Sequence, residues 1–342
     1  MEAMVLRRLC DLRREAAPLS RESMPDPEPR ADDVLLEVSV CGVCHTEIDE
    51  IEGRTPPRTL PMILGHQAVG RVIGRGAAAA RIAPGTRVGV AWISSACGSC
   101  RHCLAGDENL CPEFVATGRD VPGGYAERMV VPEAFAHPIP GTLSDVSAAP
   151  LLCAGAIGWR SLRLTGMADG DRLGLTGFGA SGHLVLGIVR RRFPRSEVYV
   201  FARNAEERAF ARELGAVWTG DSGDVAPAKL HAIIDTTPAW KPALGALANL
   251  EPGGRLVVNA IRKESADRQE LAAIDYARHL WMEKEVKSVA NVTRADVREL
   301  LAFAAESGIV PEATEAPLAD ANRVLVELKR AAGRGAKVLR VA

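Results

Sequence analysis

Four thiols crowd into one short stretch, Cys97-Gly98-Ser99-Cys100-Arg101-His102-Cys103 and then Cys111. Two successive C-x2-C steps with a fourth cysteine on the same loop suit the wrapping of a single tetrahedral ion, and zinc takes four soft thiolates readily. An iron–sulfur cluster also uses four cysteines and is the alternative reading. Unliganded buried cysteines fit this spacing less well than either. A shell closed by four protein ligands leaves no place for a substrate, so such an ion holds a loop together and does no chemistry.

A second set is dispersed: Cys44, His66 and Cys153. Each one alone reads equally as a small buried hydrophobe or a structural ring. Their neighbours give them interest. Cys44-His45-Thr46 follows an apolar stretch ending at Cys41-Gly42, and Gly65-His66 closes a proline-containing loop. Cys153 stands where the pattern of the chain changes. Ligands drawn from both sides of a domain boundary would set a metal where substrate and cofactor meet.

Gly177-Phe178-Gly179-Ala180-Ser181-Gly182 matches G-x-G-x-x-G after an apolar strand and ahead of a helical pattern. In that context the small residues let the backbone approach a pyrophosphate, and the helix N-terminus offers free N–H groups to it. The next strand runs into Phe201-Ala202-Arg203-Asn204. No carboxylate is available there for a ribose 2′-hydroxyl, whereas Arg203 suits a 2′-phosphate, which favours NADP over NAD. The other readings of Arg203 are stacking on adenine or simple exposure to solvent.

These side chains need elements to position them. Strands are expected over 34–40, 69–73 and 87–92, separated by Gly/Pro-rich connections, which points to a compact β-rich, barrel-like domain. After about Pro150 strands over 172–176, 198–201, 232–234, 255–258 and 286–289 alternate with helical patterns at 183–189, 206–214 and 244–250. That alternation specifies a doubly wound parallel sheet. Helices over 296–305 and 320–329 and a last strand over 337–341 follow. A length of 342 residues fits two domains, expected as 1–152 with 290–342, and 153–289. The fold class is therefore α/β.

At this point the chain resembles the medium-chain zinc-dependent alcohol dehydrogenases along essentially its full length. The resemblance is carried by Cys-Gly-Val-Cys-His-Thr at 41–46, Leu-Gly-His at 64–66, the four-cysteine lobe, Leu-Leu-Cys-Ala-Gly at 151–155 and the glycine turn at 177–182. The chain looks like the bacterial branch labelled as propanol-preferring. The resemblance implies a GroES-like barrel catalytic domain beside a Rossmann coenzyme domain, and interconversion of a primary alcohol and its aldehyde. It implies Cys44, His66 and Cys153 as ligands of a catalytic zinc, making two zinc ions per chain with the structural one. By the same resemblance Thr46 hydrogen-bonds the substrate oxygen, and His45 and Lys337 reach the cofactor pyrophosphate. Trp92 lines the alcohol pocket, its alternative being a place in the core. The assembly is expected to be a homodimer or homotetramer.

Three departures from the family pattern stand out. The position of the usual proton-relay histidine holds Asp49, a poor shuttle at neutral pH with an ordinary pKa of ~4. The carboxylate that usually follows the ligand histidine is Gln67, which would leave the zinc more Lewis-acidic. Glu47 replaces an aspartate behind the metal and reaches His66 with a longer arm.

The bulk numbers exclude other classes. A formal net charge of -1 gives no footprint for nucleic acid or anionic lipid, and the cluster Arg190-Arg191-Arg192 reads as a solvated helix end. No stretch suggests a membrane span or a signal peptide, so the cysteines are expected in a reducing cytoplasm. Cys41 and Cys44 also read as a redox C-x-x-C pair, but Cys44 is needed for the zinc, so Cys41 is expected to be a strand cysteine, and Cys10, with no partner in sequence, is expected to be inert. Two rival readings remain: a zinc-free enone or quinone reductase on the same architecture, and a non-catalytic nucleotide-binding protein.

Overall fold

The computed structural model describes residues 1–330 and 334–341. Two compact units emerge, Met1–Cys153 with Val292–Ala342, and Ala154–Asn291.

The first unit starts with β1 (Glu2–Leu6) and β2 (Leu19–Ser23), followed by β3 (Asp33–Val43), the helix α1 (His45–Ile51), β4 (Met62–Ile63), β5 (Ala68–Arg75) and β6 (Arg87–Val90). In β3, Val34, Leu36, Val38 and Val40 are buried while Glu37 between them faces solvent. This period-2 alternation makes a strand with one face on a core. β3 pairs antiparallel with β5, and β5 with β6; β1 pairs with both β2 and β4. β7 (Ile93–Ser95) and β8 (Val115–Ala116) pair across the four-cysteine lobe and pin its two ends, with α2 (Arg101–Leu104) inside it. β9 (Arg128–Pro132), β10 (Ala136–Pro138) and α3 (Asp145–Pro150) complete this stretch. Leu36, Ile48, Leu64 and Tyr125 belong to its core.

The second unit begins with α4 (Ala156–Thr165) and alternates through β11 (Arg172–Thr176), α5 (Ala180–Arg192), β12 (Glu197–Phe201), α6 (Ala205–Glu213), β13 (Trp218–Gly220), β14 (Leu230–Asp235), α7 (Trp240–Asn249), β15 (Leu250–Val258) and β16 (Glu285–Ser288). Every pair is parallel, and the order is β13-β12-β11-β14-β15-β16. The direction of winding reverses between β11 and β14, and in such sheets ligands bind beyond the carboxyl ends of the strands at that switch point.

The chain then returns to the first unit with α8 (Arg294–Ser307), β17 (Ala313–Pro317), α9 (Ala321–Lys329) and β18 (Ala336–Arg340). β18 lies parallel to β17 and antiparallel to β3. The first pair, β1 and β2, was not expected. Leu-Ser-Arg-Glu-Ser over 19–23 buries one side chain fully and is otherwise polar, so an edge strand there has no apolar alternation to betray it. Among the described residues no helix is long and apolar enough to cross a membrane.

Candidate active site and metal centres

β3 delivers Cys44 to the start of α1. Cys44 has extended backbone, its sulfur accepts the Thr46 N–H at 3.3 Å, and its own N–H donates to Glu47 Oε2 at 2.8 Å. This reciprocal capping box satisfies N–H groups the helix leaves open. It also fixes the direction of the thiol. Gly65, at φ +96°, turns the chain so that the next ring, His66, points inward. His66 Nε2 lies 3.6 Å from Cys44 Sγ, and its Nδ1 lies 2.6 Å from Glu47 Oε1, with the carboxylate off the line of the ring N–H. Cys153 stands in a wide helical turn, Leu151–Gly155, directly after α3. The three ligand atoms lie within 4.8 Å of one another, and Cys153 falls in the same unit as the other two.

The arrangement fits a tetrahedral zinc. Bonds of ~2.3 Å to sulfur and ~2.05 Å to nitrogen set a sulfur–nitrogen edge of ~3.6 Å, the separation seen between Cys44 and His66. The Cys44 thiol is pushed well up by its hydrogen bond with Cys153, by burial and by Glu47. Burial pulls His66 down, but Glu47 and Cys44 together carry its pKa well above the ordinary imidazole value. Glu47 is thus placed to hold the ring in the tautomer that leaves Nε2 as a ligand, the job of a carboxylate behind a metal-bound histidine.

The four-cysteine lobe has the same signature. Cys97 Sγ lies 3.9 Å from Cys103 Sγ and 3.5 Å from Cys111 Sγ, against an edge of ~3.8 Å for a zinc tetrathiolate. Disulfides, with S–S bonds of ~2.05 Å, are excluded at these distances, and all eight cysteines are free. Thiolates bound to different irons of a cluster would stand farther apart, so one ion fits and the cluster does not. Backbone N–H groups of Ser99 and Cys100 lower the Cys97 thiol to about 6, whereas burial and its sulfur neighbours raise Cys103 to about 12. One stabilised thiolate among competing thiols is the state a cation would resolve.

In the second unit β11 runs into Gly177, whose φ of +80° and approach to Thr236 (a Cβ would stand 2.7 Å from its Oγ1) admit no side chain. Gly179 is different: none of the described residues lies within 4 Å of where its Cβ would be. Nothing inside the protein requires that bare backbone at the start of α5, whereas a pyrophosphate on the helix N-terminus would. Arg203 is exposed just past β12. Beside it Arg208 donates from Nη1 to the carbonyls of Ala202 at 2.5 Å and Arg203 at 2.9 Å. Sequence reading passed over Arg208, although its place one turn into α6 was available as a signal.

A family model described as the alcohol dehydrogenase GroES-like domain matches residues 30–141. A probable alcohol dehydrogenase of Mycobacterium tuberculosis is 40% identical over 330 residues, 95% of this chain and 93% of the relative. An alcohol dehydrogenase of Geobacillus stearothermophilus is 32% identical over 92% of this chain and 93% of its own. The chain belongs to the medium-chain zinc-dependent alcohol dehydrogenase family. It is an NAD(P)-dependent oxidoreductase. Among solved structures, a putative zinc-binding dehydrogenase of Sinorhizobium meliloti bound to NADP superposes with a TM-score of 0.86 at 25% identity, over 99% of each chain.

The surroundings of the dehydrogenase's dispersed trio carry their own detail. Lys337 is the register partner of Val43, so it emerges level with Cys44 and His45, and His45 itself is exposed. Asp49 is buried and accepts the Arg54 Nε–H at 2.6 Å. Gln67 is buried against Gly42. Glu50 is fully buried beside Trp92, and burial first and Glu47 second push its carboxyl well up. Trp92 is buried beyond the end of β6, its ring 5.4 Å from Phe114 and under the Arg119 guanidinium at 4.9 Å. Asp120 is held by Arg119 and Arg58, and Trp281 is exposed in the second unit.

Proposed function

We propose that this enzyme interconverts small primary alcohols and their aldehydes, uses NADP(H) in preference to NAD(H), and carries two zinc ions per chain. The reading places the catalytic ion on Cys44, His66 and Cys153 and the structural ion on Cys97, Cys100, Cys103 and Cys111. The observation that carries it is the pair of compact donor sets, one of four sulfurs, which would close a tetrahedral shell, and one of three protein ligands, which would leave a tetrahedral ion a fourth position for substrate. When bound, zinc at the trio supplies a Lewis acid that acidifies an alcohol or polarises a carbonyl, and the nicotinamide supplies the hydride partner. The protein does the rest. Glu47 orients His66, and Thr46, in the first turn of α1, offers a hydroxyl to the substrate oxygen and passes its proton outward. Gly177, Gly179 and Gly182 shape the pyrophosphate turn, with His45 and Lys337 adding positive donors. Trp92 bounds the pocket, and its bulk disfavours branched alcohols.

Arg203, with Arg208 behind it and no carboxylate at the end of β12, supports NADP. Asp49 occupies the relay position, but its carboxylate is already engaged by Arg54. A homodimer or homotetramer is supported by β16, whose residues are all exposed at the sheet edge, and by exposed Tyr276, Trp281, Met282 and Val286 near it. Free cysteines fit a cytoplasmic setting.

Metal analysis and steady-state kinetics test the proposal together. Two zincs per chain are expected, and Cys44→Ser should lose turnover with primary alcohols while keeping the lobe zinc and the fold. A higher kcat/KM with NADH than with NADPH would reject the cofactor assignment. A chain holding one zinc or none with undiminished reductase activity would reject the metal assignment.

A further inference from the structure

A buried ion pair sits at the switch point of the second unit, outside everything assigned so far. Asp235, the last residue of β14, is fully buried and is the register partner of Thr176, the last residue of β11. Its Oδ1 accepts the Thr176 hydroxyl at 2.6 Å, the Thr237 N–H at 3.1 Å and the Thr237 hydroxyl at 2.7 Å. Its Oδ2 accepts Lys263 Nζ. The ammonium donates also to the carbonyls of Thr237 at 2.8 Å and Ala239 at 2.9 Å, so its three protons have three acceptors. The Lys263 side chain is 9% exposed.

Such a pair is not explained by stability. Desolvation of both charges offsets most of their attraction, and apolar replacements are often neutral or better. Its location suggests the purpose. Lys263 and Asp235 together staple the 236–239 loop to the carboxyl ends of the two strands between which the winding reverses. Thr236 is held in addition by its N–H and hydroxyl on the Thr176 carbonyl, both at 2.9 Å. That loop abuts the glycine turn, since Thr236 Oγ1 is the atom that a Cβ on Gly177 would strike. Thr236 and Thr237 are themselves half-exposed. The staple therefore fixes one wall of the crevice whose other wall is the pyrophosphate turn.

We infer that Lys263 is a positioning residue for the nicotinamide dinucleotide: with Asp235 it holds the 236–239 loop at the spacing from Gly177 that admits the cofactor. The inference rests on reading the second unit as the dinucleotide site. Loss of the staple loosens the wall for NADP(H) and NAD(H) alike, because the proposed partner of the 2′-phosphate is Arg203 and not this loop.

The test is binding of NADPH and NADH to the full-length zinc-loaded protein, followed by nicotinamide fluorescence without substrate. Lys263→Met leaves a buried carboxylate unpaired and will lower the melting temperature. The double variant Asp235→Asn/Lys263→Met removes both charges together and serves as the folded control. The double variant is expected to retain wild-type zinc content and a melting temperature near wild type, yet to bind both cofactors about tenfold or more weakly, with their ratio unchanged. A double variant that folds and binds both cofactors with wild-type Kd overturns the role of the staple. A wild-type protein that binds neither cofactor overturns the dinucleotide reading itself, so the two failures are distinct.

Discussion

Glu47 is the residue through which the proposed catalytic metal is most open to experiment, because one carboxylate serves two partners. Oε1 stands 2.6 Å from His66 Nδ1, and Oε2 accepts the Cys44 N–H at 2.8 Å. Glu47→Gln keeps the length and an acceptor for Cys44 but loses the charge facing the imidazole. Glu47→Ala loses both contacts, freeing the ring and the cap amide of Cys44. Partners of metal-bound histidines are worth about 10–100-fold in metal affinity, which is about 1.4–2.7 kcal/mol. Glutamine should fall near the lower end and alanine near the upper. The lobe on Cys97, Cys100, Cys103 and Cys111 is the internal control, since Glu47 touches none of its thiols. Titration with a chromophoric chelator should therefore release one zinc per chain early in Glu47→Ala and leave the second at its wild-type midpoint. Release of both ions together, or a first midpoint equal to wild type, would refute the reasoning.

Three further outcomes are expected. His137 on β10 is buried, and burial, with Arg298 and Arg294 nearby, lowers its pKa to about 3. The unfolded chain takes up that proton near pH 6.5 and the native state does not, so stability is full above pH 6.5 and is lost as the pH falls toward 3. The loss is about 2 kcal/mol at pH 5; His137→Phe should flatten this part of the denaturant-derived stability curve, and parallel curves would remove the assignment. Asp49→Ala should cost about 1.5–3 kcal/mol through the lost Arg54 contact and leave the shape of the pH–rate profile unchanged. An inflection near neutrality that disappears in the variant would instead make Asp49 a relay member. Gln67→Glu puts a negative charge behind the metal ligands and should raise the alcohol-linked pKa in the profile of kcat; an unmoved pKa would sink the idea that Gln67 sharpens the metal.

What could be read from the sequence depended on whether the signal was local. The four-cysteine lobe is written within fifteen positions, so spacing alone implied a closed ion site, and the sulfur–sulfur distances then favoured one ion over a cluster. The strand–helix alternation after Pro150 specified the parallel sheet for the same reason. Cys44, His66 and Cys153 are brought together by β3, a left-handed turn and a helical turn after α3. No pairwise spacing contains that information, and family resemblance had to supply it. The pair of Asp235 and Lys263 was invisible, because a lysine in a loop rich in charged residues reads as solvated until the loop folds back over the sheet. Trp92 was expected inside a strand over 87–92, but β6 ends at Val90, so the tryptophan sits past the ladder where Arg119 and Phe114 can stack on it.

The place of β18 has a consequence for the order of events in the cell. It lies against β3, the strand that ends beside Cys44, yet it leaves the ribosome after every other strand described. The Rossmann-type unit, contained in one uninterrupted stretch, can fold during synthesis, whereas the barrel must keep a gap beside β3 until the tail arrives. If the proposed ion of the dispersed trio needs β3 in its finished ladder, it would be captured after translation, whereas the four-cysteine lobe has all its thiols by Cys111.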